Sequence, residues 1–208
     1  MTERSSKFLF VQAHKSPGII DRLHLLLPWI YESDRRFFDI LLQDWDFNEI
    51  LPRWMVRDES EHGLHRTRLL IAEDRIAGGF VAMPGREVAL ARESDILDLV
   101  RHSDPRDWRK LRERVQDLYP LFGPIRPGDF YISRLSGLPS LKERGYDEVI
   151  VEEALNRARQ HHVDRVRIDV DEANQRLCSI CTAYGFETID RGRVPNSTVT
   201  YLNLARDL

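Results

Sequence analysis

Two cysteines near the carboxyl end of the chain have a type and spacing that could support chemistry. Cys178 and Cys181 are three residues apart in a segment that predicts a helix, so their side chains share one side of it. Such a pair holds a zinc ion when a second Cys or His pair lies nearby, and the sequence has none there. Two cysteines are also too few for a disulfide framework. The pattern predicts a reduced protein without a metal site, located in the cytoplasm.

Two histidine pairs are further candidates for chemistry. His62 and His65 lie in a polar loop, from which they could reach a substrate, although histidines in solvated loops are common. His161 and His162 end a predicted helix, where the helix dipole favours a cation. Neither pair has a spacing that assigns it a reaction.

The elements that must position these residues follow from hydrophobic periodicity. The predicted elements are a strand over 7–11, helices over 19–54, a hairpin over 66–73 and 76–83, helices over 92–127, a strand over 129–138, a helix over 146–162, a strand over 165–170, a helix over 173–184, and an antiparallel pair over 186–190 and 198–204. The alternation of strands and helices in the last third predicts helices packed on a sheet, with a right-handed crossover wherever neighbouring strands are parallel.

Length and composition limit the class of protein. The chain has 208 residues, of which 42% are hydrophobic, and a formal net charge of -3. These values predict one folded domain over 1–208, in which 92–127 is a helical insertion packed on the surface, and they exclude a disordered chain. The near-neutral balance argues against a nucleic-acid partner. The longest apolar run, 25–31, is too short to cross a membrane, and the first residues lack the apolar core of a signal peptide.

Three stretches of the last third resemble the GCN5-related N-acetyltransferase (GNAT) superfamily. Residues 131–139 (YISRLSGLP) are similar to the family's central strand and the proline after it. Residues 142–147 (KERGYD) and the helix that follows resemble its pyrophosphate loop. Residues 174–186, which include Asn174 and end in Gly-Phe, are similar to its Asn-containing helix. The resemblance covers about 129–204, and the order of elements before it is also that of the family.

This resemblance implies a mixed α/β (α+β) fold, with a mostly antiparallel sheet, one splayed parallel strand pair and helices on both faces. It implies an N-acyltransferase that moves acetyl from acetyl-CoA, the co-substrate, to an amine of a small molecule or peptide. The implied co-substrate residues are Leu135, Ser136, Gly137, Leu138, Lys142, Arg144, Gly145, Tyr146 and Asn174. A homodimer through the exposed edge of the final strand pair stays open.

The sequence departs from the family pattern at the pyrophosphate loop. Asp147 stands where Gly or Ala is usual, and Glu143 replaces a frequent glycine. We expect Asp147 to N-cap the following helix with its own carboxylate and, together with Glu143 and Glu148, to repel a phosphate. A catalytically silent protein of the same fold is therefore the alternative hypothesis.

The implied catalytic groups also depart from the pattern. Cys181 occupies the position where the family commonly has a tyrosine that protonates the CoA thiolate, and Tyr184 follows one helical turn later. Both are candidate acids, although each could equally be a core residue. The general base is open between Glu73, Tyr131 and Ser133.

Overall fold

The structure is a computed structural model, which describes residues 8–138 and 145–208. The strands are β1 (Phe8–Gln12), β2 (Thr67–Ala72), β3 (Arg75–Pro84), β4 (Asp129–Gly137), β5 (Arg165–Asp171), β6 (Glu187–Arg193) and β7 (Thr200–Asp207). The α-helices are α1 (Leu27–Ser33), α2 (Arg35–Leu41), α3 (Phe47–Met55), α4 (Gly85–His102), α5 (Trp108–Leu118), α6 (Tyr146–Gln160) and α7 (Gln175–Ala183). Short 3₁₀ turns lie at Ala13–Lys15, Ile20–Leu25, Leu64–Arg66, Pro105–Asp107 and Tyr119–Leu121.

The strands form one open sheet in the order β1-β2-β3-β4-β5-β7-β6. Only β4 and β5 pair in parallel within the described residues, and α6 connects them. The other neighbouring strands are antiparallel. This topology confirms the predicted mixed α/β class with a single parallel pair.

The alternation of side chains along the strands divides the core into two layers. One face of the sheet packs against α6 and α7 through residues such as Phe130, Ile132 and Ile168. The opposite face packs against α1 to α5, where Trp29, Trp54 and other apolar side chains are fully buried. Helices therefore cover both faces, as predicted.

The helical segments differ from the prediction in their boundaries. Pro28 lies in the first turn of α1, where its missing N–H has no intrahelical acceptor to lose. The predicted helices over 92–127 begin too late, because α4 already starts at Gly85, directly after β3. The strand β3 ends at Pro84, one residue beyond the predicted bound. No helix among residues 8–138 and 145–208 is long and apolar enough to cross a membrane.

Candidate active site

The sheet opens between its two parallel strands. Paired residues run from Asp129 and Arg165 to Ile132 and Ile168. Beyond that point β4 continues to Gly137 and β5 to Asp171. Ser133 is an extra residue in β4, because Val81 opposes Arg134 while Ala82 opposes Ile132. Such a bulge bends a strand and increases its twist, so it helps β4 to turn away from β5.

The carboxylate of Asp147 lies at the end of this opening. Its Oδ1 accepts a hydrogen bond from the backbone N–H of Gly137 at 2.6 Å. The N-cap of α6 is Gly145, in a left-handed conformation (φ 72°), and no side chain caps the helix there. The expected N-cap role of Asp147 is therefore wrong, because this residue lies inside the first helical turn and reaches the strand instead. A Cβ on residue 137 would come within 3.1 Å of the Asp147 oxygen, so glycine leaves room for the contact.

Arg176 of α7 neutralises part of this acidic end. Its Nε lies 3.0 Å from Asp147 Oδ2, and its Nη2 lies 3.5 Å from Glu148 Oε2. Two carboxylates thus face one guanidinium among the described residues. Lys142 and Arg144, the predicted cationic residues of this loop, and Glu143 lie outside the described residues.

The other predicted co-substrate residues occupy β4 and the two helix starts. Leu135 and Tyr146 are buried in the core beneath α6. Ser136 Oγ donates to the Gly137 carbonyl at 2.7 Å, and the Leu138 N–H donates to the Ala77 carbonyl at 2.8 Å. Asn174 caps α7, since its Oδ1 accepts from the Leu177 N–H at 3.2 Å.

The predicted catalytic residues lie in three different environments. Cys181 is 0% exposed in the core under α6 and α7, where burial raises its pKa to about 12. Tyr184 is half-buried at the end of α7, and burial with the nearby carboxylates of Glu152 and Glu148 raises its pKa. Glu73 is an exposed residue of the β2–β3 turn with φ 52°. Cys181 and Tyr184 therefore share one apolar cluster, whereas Glu73 is not part of it.

Sequence reasoning missed a buried polar network on the opposite face of the sheet. Arg134 of β4 lies 3.5 Å from Asp34 and 3.7 Å from Glu61. Its guanidinium stacks over Phe37 and Phe38, at 4.7 and 5.0 Å from their ring centroids. Its Nε and Nη2 atoms are buried and have no hydrogen-bond partner among the described residues.

Asp34 is an acid of this network whose pKa is raised towards neutrality. It separates α1 from α2 and is 8% exposed. The Tyr201 hydroxyl donates to its Oδ1. Burial raises the pKa of Asp34 to about 6, although the charge of Arg134 and the bond from Tyr201 oppose the shift. A carboxylate with this pKa is ionised at neutral pH and can accept a proton.

A second branch of the network joins α4 to β4 and β5. Arg92 donates from Nε to Glu61 at 3.1 Å and from Nη2 to the Tyr131 hydroxyl at 2.6 Å. Tyr131 in turn donates to Asp169 at 3.0 Å. Burial raises the pKa of Glu61, but the charges of Arg92, Arg134 and His62 overcome it and lower this pKa to about 2. Glu61 therefore stays ionised, whereas Asp34 titrates near neutral pH.

Comparison with known proteins identifies the fold. No protein-family model and no curated protein sequence matches the chain. Among solved structures, an N-acetyltransferase from Staphylococcus aureus Mu50 has a TM-score of 0.69 at 13% identity, over 95% of this chain and 100% of the other. A GNAT-family acetyltransferase from Listeria monocytogenes 4b F2365 has a TM-score of 0.53 at 15% identity, over 100% and 99%.

A third solved structure, the NatC complex bound to Gag peptide and CoA, has a TM-score of 0.53 at 11% identity, over 97% of this chain and 99% of that one. The chain thus has the fold of the GNAT acetyltransferases over nearly its whole length. This confirms the fold that the sequence resemblance implied.

Proposed function

We propose that this protein is an acyl-CoA-dependent N-acyltransferase that moves acetyl from acetyl-CoA to an amine. The observation that carries the proposal is the opening between β4 and β5, at the starts of α6 and α7, in a chain with the GNAT fold. Among proteins of similar fold, the NatC complex holds both CoA and a peptide. A small-molecule or peptide amine is the corresponding acceptor class here.

The described residues fit the co-substrate in backbone geometry but not in charge. No side chain of the described residues caps the start of α6, and backbone N–H groups at a helix start suit a pyrophosphate. The Gly137 N–H suits an amide oxygen of the pantetheine arm, but Asp147 already accepts from it. Acetyl-CoA can therefore bind at Gly137 only when the Asp147 carboxylate moves away from the Gly137 N–H. The ion pair between Asp147 and Arg176 opposes this movement.

The transfer needs a base, an acid and a group that stabilises the oxyanion. The amine nitrogen attacks the thioester carbonyl, a C–N bond forms, the C–S bond breaks, and the amine loses a proton while the thiolate gains one. We assign the base to Asp34, because it is buried, has a pKa of about 6 and lies beside the unpartnered donors of Arg134. A backbone N–H of β4 near Leu135–Leu138 would stabilise the oxyanion. The Leu138 N–H already donates to Ala77, and the Gly137 N–H becomes available only when Asp147 moves away.

Tyr184 is the better candidate for the acid. Cys181 holds its proton firmly, but its complete burial in the core fits a packing role. We expect Tyr184→Phe to lower kcat and Cys181→Ala to leave the pH profile of turnover unchanged. A changed profile in Cys181→Ala with a normal one in Tyr184→Phe would reverse this assignment.

The first experiment is thermal unfolding with acetyl-CoA. A ligand that binds the native state raises the Tm by mass action. We expect a rise in the wild type and a larger one in Asp147→Ala, which frees the Gly137 N–H. Glu187→Ala removes an exposed carboxylate on β6 and should match the wild type. A smaller or unchanged shift in Asp147→Ala would contradict the proposed competition.

The alternative is a catalytically silent protein with the GNAT fold. The hydrogen bond between Asp147 and Gly137 favours it, because an internal carboxylate occupies a donor that a co-substrate would use. If millimolar acetyl-CoA shifts the Tm of neither the wild type nor Asp147→Ala, the enzyme proposal fails and the silent alternative stands.

A further inference from the structure

A cavity lies at the amino end of β4, opposite to the opening described above. Its volume is about 260 Å³, and an adjoining cavity also measures about 260 Å³. Both include Arg86, Phe130 and His161 in their walls. Phe130 and Gly137 are seven residues apart on β4, which places the cavity roughly 20 Å from the Asp147 contact.

The rim of the first cavity is strongly basic. Four arginines from four elements line it, together with Glu87. Arg66 pairs with Glu87 and Arg68 with Glu153, so two of the four arginines have no carboxylate partner among the described residues. The arginines are Arg66 before β2, Arg68 on β2, Arg86 on α4 and Arg157 on α6. In a chain with a net charge of -3, this concentration of positive charge is local. Guanidinium groups arranged in this way suit the oxygens of an oxyanion.

Two of these arginines keep hydrogen-bonding capacity that the described residues do not use. The Arg66 side chain is 9% exposed and pairs with Glu87 through Nη1 at 3.0 Å. Its Nε is buried without a hydrogen-bond partner among the described residues. Arg86 is exposed at the rim and makes no ion pair or hydrogen bond with them. Since a buried donor without a partner is costly, a ligand oxygen near Arg66 would be stabilising.

The cavity floor is apolar and aromatic. Phe80, Met83 and Phe130 are buried there. The His161 ring lies 5.3 Å from the Phe130 ring at an interplanar angle of 34°. A bare inorganic anion would leave this surface uncovered, so the walls suit a ligand that has an organic body as well as a charged group.

We propose that this cavity binds a small organic phosphate, with its phosphoryl oxygens on the arginines and its organic part against Phe80 and Phe130. A phosphate dianion matches the excess of cationic over acidic side chains on the rim better than a single carboxylate does. The lowered pKa values of His65 and His161, which line the cavity, agree with a positive electrostatic potential there. Burial and then Arg66 lower the pKa of His65, and burial followed by Arg157 and Arg86 lowers that of His161. This site is separate from the proposed acyl-transfer site.

The test is calorimetric titration of the full chain with phenyl phosphate. We expect saturable binding that weakens about tenfold or more in Arg86→Gln and in Arg157→Gln, because each loses a charge-assisted contact. Arg159→Gln is the matched control, since Arg159 lies on the same helix, is exposed and bonds to Asn156 outside the cavity. Inorganic phosphate should bind more weakly than phenyl phosphate.

Each contrary outcome overturns part of the proposal. An absence of binding, or equal affinities in Arg86→Gln, Arg157→Gln and Arg159→Gln, would remove the site. Equal affinity for inorganic phosphate would remove the organic part of the assignment. Asp147→Ala should leave the affinity for phenyl phosphate unchanged, and a changed affinity would place the probe at the acyl-transfer opening instead.

Discussion

The two ends of β4 differ in how their charges are satisfied. At the carboxyl end, Arg134 and Arg176 each lie beside two carboxylates. At the amino end, Arg66 and Arg68 each pair with one carboxylate, and Arg86 pairs with none among the described residues. An incoming anion must therefore compete with carboxylates at the first end, whereas at the second end it can bind Arg86 without displacing one. The sequence resemblance implies the reverse, since the co-substrate residues that it indicates, such as Leu135 and Gly145, lie at the first end.

The largest expected effect is the loss of stability when the buried cation of the carboxyl end is removed. Arg134→Met leaves Asp34 and Glu61 buried without that charge, and breaking a buried pair typically costs about 3–5 kcal/mol. The free energy of unfolding in urea measures this loss. Arg68→Met breaks the pair with Glu153 at the cavity, where the side chains are 25% and 20% exposed, and should cost about 1 kcal/mol. Equal losses would contradict the difference between the two ends.

The second effect is a pH dependence that originates at Asp34. Its pKa is raised from 3.8 to about 6 in the folded protein, so the folded state holds a proton that the unfolded chain has lost. The stabilisation from this proton is fully present below the pKa that Asp34 has in the unfolded chain. It is lost as the pH rises through the pKa of Asp34 in the folded protein. The loss is on the order of 3 kcal/mol between about pH 4 and pH 7.

Asp34→Asn tests this origin, because the amide does not titrate. Its free energy of unfolding should fall less than that of the wild type over the same pH range. Asp21→Asn, at an exposed position, should follow the wild-type curve. If the Asp34→Asn curve also parallels that of the wild type, the raised pKa does not belong to Asp34.

The sequence predicts the secondary-structure elements around β4 that depend on a local hydrophobic pattern. The apolar patterns of 165–170 and 173–184 place β5 and α7 within one or two residues of their observed bounds. The acid at position 147 indicates an obstacle to an anion. The sequence does not indicate its partner, Gly137, because that contact joins residues ten positions apart.

The Arg134 network could not be predicted for a different reason. A charged residue in a half-buried strand usually faces solvent, so Arg134 gives no signal of burial in the sequence. Its partner Asp34 is 100 positions away, at the junction of α1 and α2, and the Asp34 side chain accepts a hydrogen bond from Tyr201. The partners of buried charges are set by the packing of distant elements, which periodicity does not reveal.

A third effect connects stability with the proposed binding at the carboxyl end. Asp147→Ala removes a charge-assisted hydrogen bond to Gly137, so we expect the free energy of unfolding to fall by about 1.5 kcal/mol. The same variant should bind acetyl-CoA more tightly. Urea unfolding without ligand measures the first change, and Glu187→Ala should stay within about 0.5 kcal/mol of the wild type. If Asp147→Ala were more stable than the wild type, the contact between the Asp147 carboxylate and Gly137 would be destabilising in the wild-type protein.

The smallest expected effect is at the amino end, in the titration of His161. Burial and the charges of Arg157 and Arg86 lower its pKa, while Glu87 raises it and His162 lowers it slightly. Arg86→Gln should therefore raise this pKa by less than about one unit, because exposed charges interact by about 1 kcal/mol or less. NMR titration of the ring protons measures the shift. Arg159→Gln should leave the pKa of His161 unchanged, and an equal shift in both variants would mean that His161 senses the net charge of the protein and not the basic rim of the cavity.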